Sequence, residues 1–100
     1  MIKTNIENGE VSLSKGVFKD ITSISVNKSE YFSPTKKDNS YINVSYDDNN
    51  LTLTLHLKVK KGIDIVDACS ILQDDIHESI ENMTSVEVKK INLDIIGFFD

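Results

Sequence analysis

The most regular pattern in the chain lies between Asn50 and Gly62. Leu51, Leu53, Leu55, Leu57 and Val59 alternate with Thr52, Thr54, His56, Lys58 and Lys60. That is the two-residue period of a strand with one buried face. Tyr41 to Tyr46 alternates in the same way, with Ile42, Val44 and Tyr46 on one side. Between the two runs, Asp47-Asp48-Asn49-Asn50 is turn chemistry, because Asp and Asn tolerate left-handed dihedrals and bond their own backbone. The pair predicts a β-hairpin. Gly62 ends the second strand, and Asp64 is placed to cap a helix, with Asp67 at its third position favouring the positive helix end. Ile65, Cys69, Leu72, Ile76, Ile80 and Met83 then recur at helical spacing, predicting an amphipathic helix about five turns long. Thr84-Ser85 breaks it. A last strand starts at Val86-Glu87-Val88 and continues through Ile91, Leu93 and Ile95, slipping by one position at Lys89-Lys90, where a β-bulge is expected.

Ahead of the hairpin the pattern is weaker. Residues 1–8 are polar and read as a flexible N-terminus, and residues 9–100 read as one domain. Gly9-Glu10-Val11-Ser12-Leu13 predicts a short strand, and Ser14 a helix cap. Val17, Ile21 and Ile24, with Phe18 beside them, predict the first helix, which Gly16 weakens by about 1 kcal/mol relative to alanine. Ser25 to Phe32 fits either a strand or an irregular return. Ser33 to Ser40 holds the one proline and no apolar residue, and reads as a loop. The expected order is β-α-β-β-α-β. The expected class is α+β: a two-layer sandwich in which both helices pack on one face of a mixed β-sheet. The other sheet face is then polar, either wet or covered by a partner.

Size and charge narrow the function. One hundred residues suffice for one cored domain and not for two. All 11 basic residues are lysine and the net charge is -5. Both facts argue against a protein that tracks phosphates with bidentate arginines. The single cysteine excludes an internal disulfide and a multi-cysteine metal site. The N-terminus shows no apolar signal region and no run long enough to span a membrane, so a cytoplasmic location is expected.

Candidate chemistry is sparse. His77-Glu78-Ser79-Ile80-Glu81 has one histidine where a zinc-protease helix needs two, four apart. Asp74, His77 and Glu81 share neighbouring helix turns, but the favoured reading is a solvated acidic face that they form with Asp67, Asp75 and Glu78. Cys69 sits in the apolar stripe and reads as a small core residue. No phosphate loop, nucleophile elbow or dinucleotide fingerprint occurs. The expectation is therefore no enzyme, no catalytic residues, no cofactor and no metal. What remains is the polar row of the hairpin strand. If the last strand is its neighbour, Asn43, Ser45, Tyr41, Asn92 and Asp94 share that face. It reads as a hydrated face or a protein contact surface, and less favourably as a platform for RNA, with Tyr41 stacking a base and lysines on phosphates.

Several segments resemble the bacterial alkaline-shock protein family, also called the envelope stress response family. They are Gly9-Glu10-Val11-Ser12-Leu13-Ser14 with Val17, the alternating Leu53 to Gly62 strand, Ile65 with Leu72-Gln73, Ile80-Glu81-Asn82-Met83-Thr84, and Val88 to Ile95. The resemblance covers residues 9–97. Its middle departs: the family's alanine- and glycine-containing first helix and glycine-valine return are replaced by Ile21 to Lys28. The resemblance implies a small non-enzymatic cytoplasmic protein of Gram-positive bacteria, linked to cell-envelope homeostasis. It acts by protein–protein contact, self-associating or docking on a membrane-anchored partner, and it supplies no catalytic residues. The expected contact residues are Asn43, Thr54, His56, Lys58 and Asn92, together with the sheet edge. An RNA-binding module on the same face is the alternative, with nucleic acid the less favoured partner.

Overall fold

The computed structural model describes residues 15–47 and 50–100. The expected strand Gly9–Leu13, the Ser14 cap and the centre of the hairpin turn lie outside the described residues. The elements are α1 (Lys15–Lys28), β1 (Phe32–Pro34), a 3-10 turn (Asn39–Tyr41), β2 (Ile42–Asp47), β3 (Asn50–Lys60), α2 (Ile65–Thr84) and β4 (Val88–Phe99). From α1 onward the order is α-β-β-β-α-β, with one strand more between the helices, β1, than the expected β-α-β-β-α-β holds. The fold is α+β, and its four-stranded sheet is mixed: β1 and β2 pair antiparallel with β3, and β4 pairs parallel with it.

β3 is the centre of the sheet. One of its flanks carries β2 against Asn50–Leu55 and β1 against Leu57–Val59. The other flank carries β4 along its whole length. Leu51, Leu53, Leu55, Leu57 and Val59 are all 0% exposed. Burying each such side chain stabilises by about 1.5–3 kcal/mol, so this one row outweighs any other single element. Both helices cover it, and Phe18, Val26, Leu72, Ile76 and Ile80 complete a continuous core. Phe18 meets Tyr46 edge to face, with ring centroids 5.7 Å apart.

α2 starts where its cap was expected: the Asp64 carboxylate accepts from the Asp67 N–H at 3.1 Å. It ends at Thr84, with Ser85 in the left-handed conformation at φ 61°. Its buried stripe is Ala68, Leu72, Ile76 and Ile80. The ends of the expected stripe, Ile65 and Met83, are exposed. Cys69 is half-buried beside the stripe.

α1 corrects the expected stripe. Its buried residues are Phe18, Ile21, Thr22, Ser25 and Val26, whereas Ile24 is 52% exposed. Of the segment Ser25 to Phe32, the helix takes Ser25–Lys28, Ser29–Tyr31 form an irregular return and Phe32 starts β1. Centring the buried arc on Phe18 turns Ile24 outward. Ser33-Pro34, expected in a loop, form the end of β1. The proline sits in a three-residue strand at the sheet margin, where a missing donor is tolerated.

β4 carries the expected bulge at Lys89, where the register with β3 steps from Leu51/Val88 to Thr52/Lys90. A second step, unforeseen in the pattern, leaves Ile96 unpaired between Leu57/Ile95 and Lys58/Gly97.

Two stability tests follow from the core. Thr22 is 0% exposed, and its hydroxyl has no hydrogen-bond partner. Thr22→Val removes that orphan at equal shape and should stabilise by about 1 kcal/mol in urea unfolding. Burial raises the Tyr41 and Tyr46 phenols above their ordinary value. A group with a raised folded pKa contributes stability that is intact below its unfolded pKa and is lost as pH rises through the folded one. The melting temperature should therefore fall as pH climbs past about 10, where unfolded tyrosine ionises. The Tyr41→Phe/Tyr46→Phe variant should show a shallower fall.

Candidate functional site

The face of the sheet opposite the helices carries the candidate site. Strand register decides its membership, since residues paired across strands point the same way. Asn43 lies opposite Thr54 on β2 and β3, and Thr54 lies beside Asn92 on β4. His56 lies beside Asp94, and Lys58 beside Gly97. All five expected contact residues, Asn43, Thr54, His56, Lys58 and Asn92, thus fall on one face. Ser45 and Asp94 share it, as does Lys90 through its pairing with Thr52.

Tyr41 does not. It ends the 3-10 turn before β2, is 3% exposed, and packs into the core. Asp38 caps that turn by accepting from the Ser40 N–H at 3.0 Å, and the turn breaks the alternation just where Tyr41 would have faced outward. The aromatic assigned to base stacking is therefore removed from the face.

The side chains form a row across three strands. His56 Nδ1 lies 3.0 Å from Asp94 Oδ2, and His56 Nε2 lies 3.2 Å from Asn43 Nδ2. An ionised carboxylate only accepts, so Nδ1 donates to Asp94. Nε2 is then left to accept from the Asn43 amide. Asp94 thereby fixes both ring orientation and tautomer. One position along, Asn92 Nδ2 donates to Thr54 Oγ1 at 3.4 Å. The Thr35 hydroxyl donates to the His56 carbonyl at 2.9 Å, tying the loop after β1 to the middle of β3. Lys58 lays its aliphatic stem across Gly97: a Cβ there would sit 3.6 Å from Lys58 Cγ. The stem is packed and the ammonium is left in water.

His56 thus has oriented neighbours on both sides, and Asp94 is the one that residue types alone left unassigned. Its signal lay in the register, since two strands of alternating sequence laid parallel put Asp94 against His56. The row contains no serine or cysteine at either histidine nitrogen, so the groups bonded to His56 are one amide and one carboxylate. That arrangement orients a ring; it does not activate a nucleophile.

Among the described residues no three His, Cys, Asp or Glu side chains gather as a metal site. Asp74 and His77 line a shallow cleft with Gln73, Val88, Lys89, Lys90 and Ile91, and Glu81 is not part of it. Burial raises the Cys69 thiol above its ordinary value, which lowers its thiolate fraction and suits a packing role.

Charge distinguishes α2 from the open sheet face, while α1, on the helix side, carries Lys15, Lys19 and Lys28 beside Asp20. α2 carries Asp67, Asp74, Asp75, Glu78 and Glu81 and no lysine. The open sheet face carries Lys58, Lys60 and Lys90 against Asp94. A chain that is acidic as a whole therefore presents a locally basic, hydrogen-bonding sheet surface.

A two-layer α+β domain with one polar, open sheet face is thus the class of protein that fold and site define. The chain belongs to the alkaline shock protein 23 family, described as having a cell envelope-related function, whose model matches residues 11–98. No curated protein and no solved structure matches it. Among the described residues no helix is long and apolar enough to cross a membrane.

The His56–Asp94 pair is partly exposed on both sides. A double-mutant cycle with His56→Ala and Asp94→Ala should give a coupling of under about 1 kcal/mol, shrinking with added salt. Those residues then serve orientation of the face more than stability of the fold.

Proposed function

We propose that the protein is a non-enzymatic adaptor or scaffold in cell-envelope homeostasis, working by protein–protein contact through the open sheet face. The family places the chain in an envelope-related role. The observation that carries the finer reading is the cross-strand row Asn43–His56–Asp94, flanked by Thr54, Asn92 and Lys58. Its side chains are held in fixed orientations at the surface with no reacting group among them. A pre-ordered set of donors and acceptors with aliphatic stems between them loses little entropy on binding.

The partner suited to this face is acidic and hydrogen-bonding, given the lysines that rim it. A membrane-anchored protein would bring the domain to the envelope without a span of its own. A cytoplasmic location and the capacity to self-associate belong to the same reading. The RNA alternative has lost its stacking residue to the core, and the net charge of -5 opposes it.

Crosslinking and affinity capture from the native host test this reading. The wild-type domain should recover envelope-associated proteins, and His56→Ala/Lys58→Glu should lose them while melting at a similar temperature. Capture of RNA that weakens steeply with salt and depends on the same two residues would replace the scaffold reading with the RNA one.

A further inference from the structure

His56 sits at a break in the sheet. On the flank that β1 and β2 share, β2 pairs as far as Leu55 and β1 takes over at Leu57. His56 has no strand residue opposite it there, and the Thr35 hydroxyl fills in by donating to its carbonyl. Its ring meets Asn43 from a diagonal position, since Asn43 itself pairs with Thr54. Asp94 on β4 holds the other side of the ring. Among the described residues the Asn43 side chain makes one hydrogen bond, the one to Nε2, and its Oδ1 has no protein partner.

Most groups in this row keep one hydrogen-bonding role near neutral pH. An ionised carboxylate only accepts, and an ammonium only donates. A neutral imidazole has one donor and one acceptor, and a charged one has two donors. Histidine is also the side chain that ordinarily changes charge between about pH 5 and 8. With Nδ1–H committed to Asp94, an added proton goes to Nε2. Nε2–H then faces the Asn43 N–H, donor against donor. The amide can answer with a half-turn, because the last torsion of asparagine is broad and roughly two-fold. Oδ1 then accepts from Nε2, and the amide donors take the place of the oxygen.

We propose that His56 is a proton-operated switch that reverses the hydrogen-bonding polarity of the contact face through Asn43. In the neutral form Asn43 offers an acceptor to a ligand. In the charged form it offers donors, beside an imidazolium and Lys58. The proposal gives the regulation of the contact face above, and rests on that reading for what the switch acts upon. An acidic partner is held by the charged form and released as the proton leaves. The charges around the ring are Asp94 and Lys90 from β4 and Lys58 from β3, two positions and about 7 Å along the strand. β2 brings Asn43 and Ser45, and β1 brings Ser33, all uncharged. Lys36 and Lys37 follow Thr35 in the loop. Asp94 favours a charged ring and the lysines oppose it, while the bond to Nδ1 orients the ring in both forms.

Nitrogen NMR of the full chain tests this from about pH 5.5 to about pH 8.5, a span in which carboxylates stay ionised and histidine changes charge. At the alkaline end His56 should carry its proton on Nδ1. A nitrogen–nitrogen coupling across the hydrogen bond should join Asn43 Nδ2 to Nε2. That coupling should vanish as the ring is charged, and the Asn43 amide signals should move at the same midpoint. Asp94→Ala should shift the neutral proton to Nε2 and abolish the coupling at every pH. A neutral wild-type ring protonated at Nε2 overturns the proposal, as does an Asn43 amide that stays unchanged while the ring titrates. Poly-L-aspartate serves as the acidic probe. Wild type should bind it about threefold more tightly at the acidic end, the scale of one exposed charge contact. His56→Gln should lose that dependence, and His77→Gln on α2 should keep it. Dependence that survives His56→Gln overturns the proposal. Binding that is equal at both ends and lost in Lys58→Glu removes the switch and keeps the contact face. An Asn43 amide that turns with His56, in a chain that ignores poly-L-aspartate at every pH, keeps the switch and removes the acidic-partner reading.

Discussion

The whole arrangement depends on the burial of one side of β3. Five consecutive inward positions, Leu51 to Val59, are completely removed from water, and among the described residues no other strand is so covered. This sets the register of everything else, because a one-residue slip would turn four leucines and a valine outward. β1 and β2 share one flank of that strand and β4 takes the other. Both helices must then lie on the leucine side. The polar face follows from the core: Thr52, Thr54, His56, Lys58 and Lys60 are presented together because their neighbours cannot be.

Much of this was legible from the order of residues, for reasons that differ by element. The hairpin and α2 were clear because their apolar periods are long and their caps are specific, as at Asp64. The bulge at Lys89 was visible because it falls in a regular alternation. The one at Ile96 was not, since Ile95-Ile96-Gly97-Phe98 has too little polar contrast to show a slip. α1 was harder. Thr22 and Ser25 are buried and Ile24 is exposed, so polarity misreported the inner arc by part of a turn. Tyr41 was misplaced for a local reason: a 3-10 turn precedes β2, and a period of two does not extend through it.

The candidate site was read in the same uneven way. Asn43, Thr54, His56, Lys58 and Asn92 could be gathered on one face from alternation and a single assumption, that β4 neighbours β3. The link between His56 and Asp94 needed the register itself. That link changes the meaning of the face. Separate polar residues on a sheet are merely hydrated, whereas a histidine held by a carboxylate on one strand and an amide on another is an ordered surface. Together with the family's envelope-related role, that ordered surface is what the proposed recognition role rests on. The acidic α2 and the lysine-bearing sheet face differ in charge, which on the proposed adaptor reading would orient a partner.

The central claim is that one side of the domain is core and helix while the other is the working contact surface. Site-specific photocrosslinking in the native host addresses it most directly, with a photoreactive residue placed at Thr54 on the open face or at Glu78 on the acidic face of α2. The account predicts discrete protein adducts from position 54, lost on His56→Ala/Lys58→Glu, and none from position 78. Adducts that arise from position 78 while position 54 stays silent would contradict it.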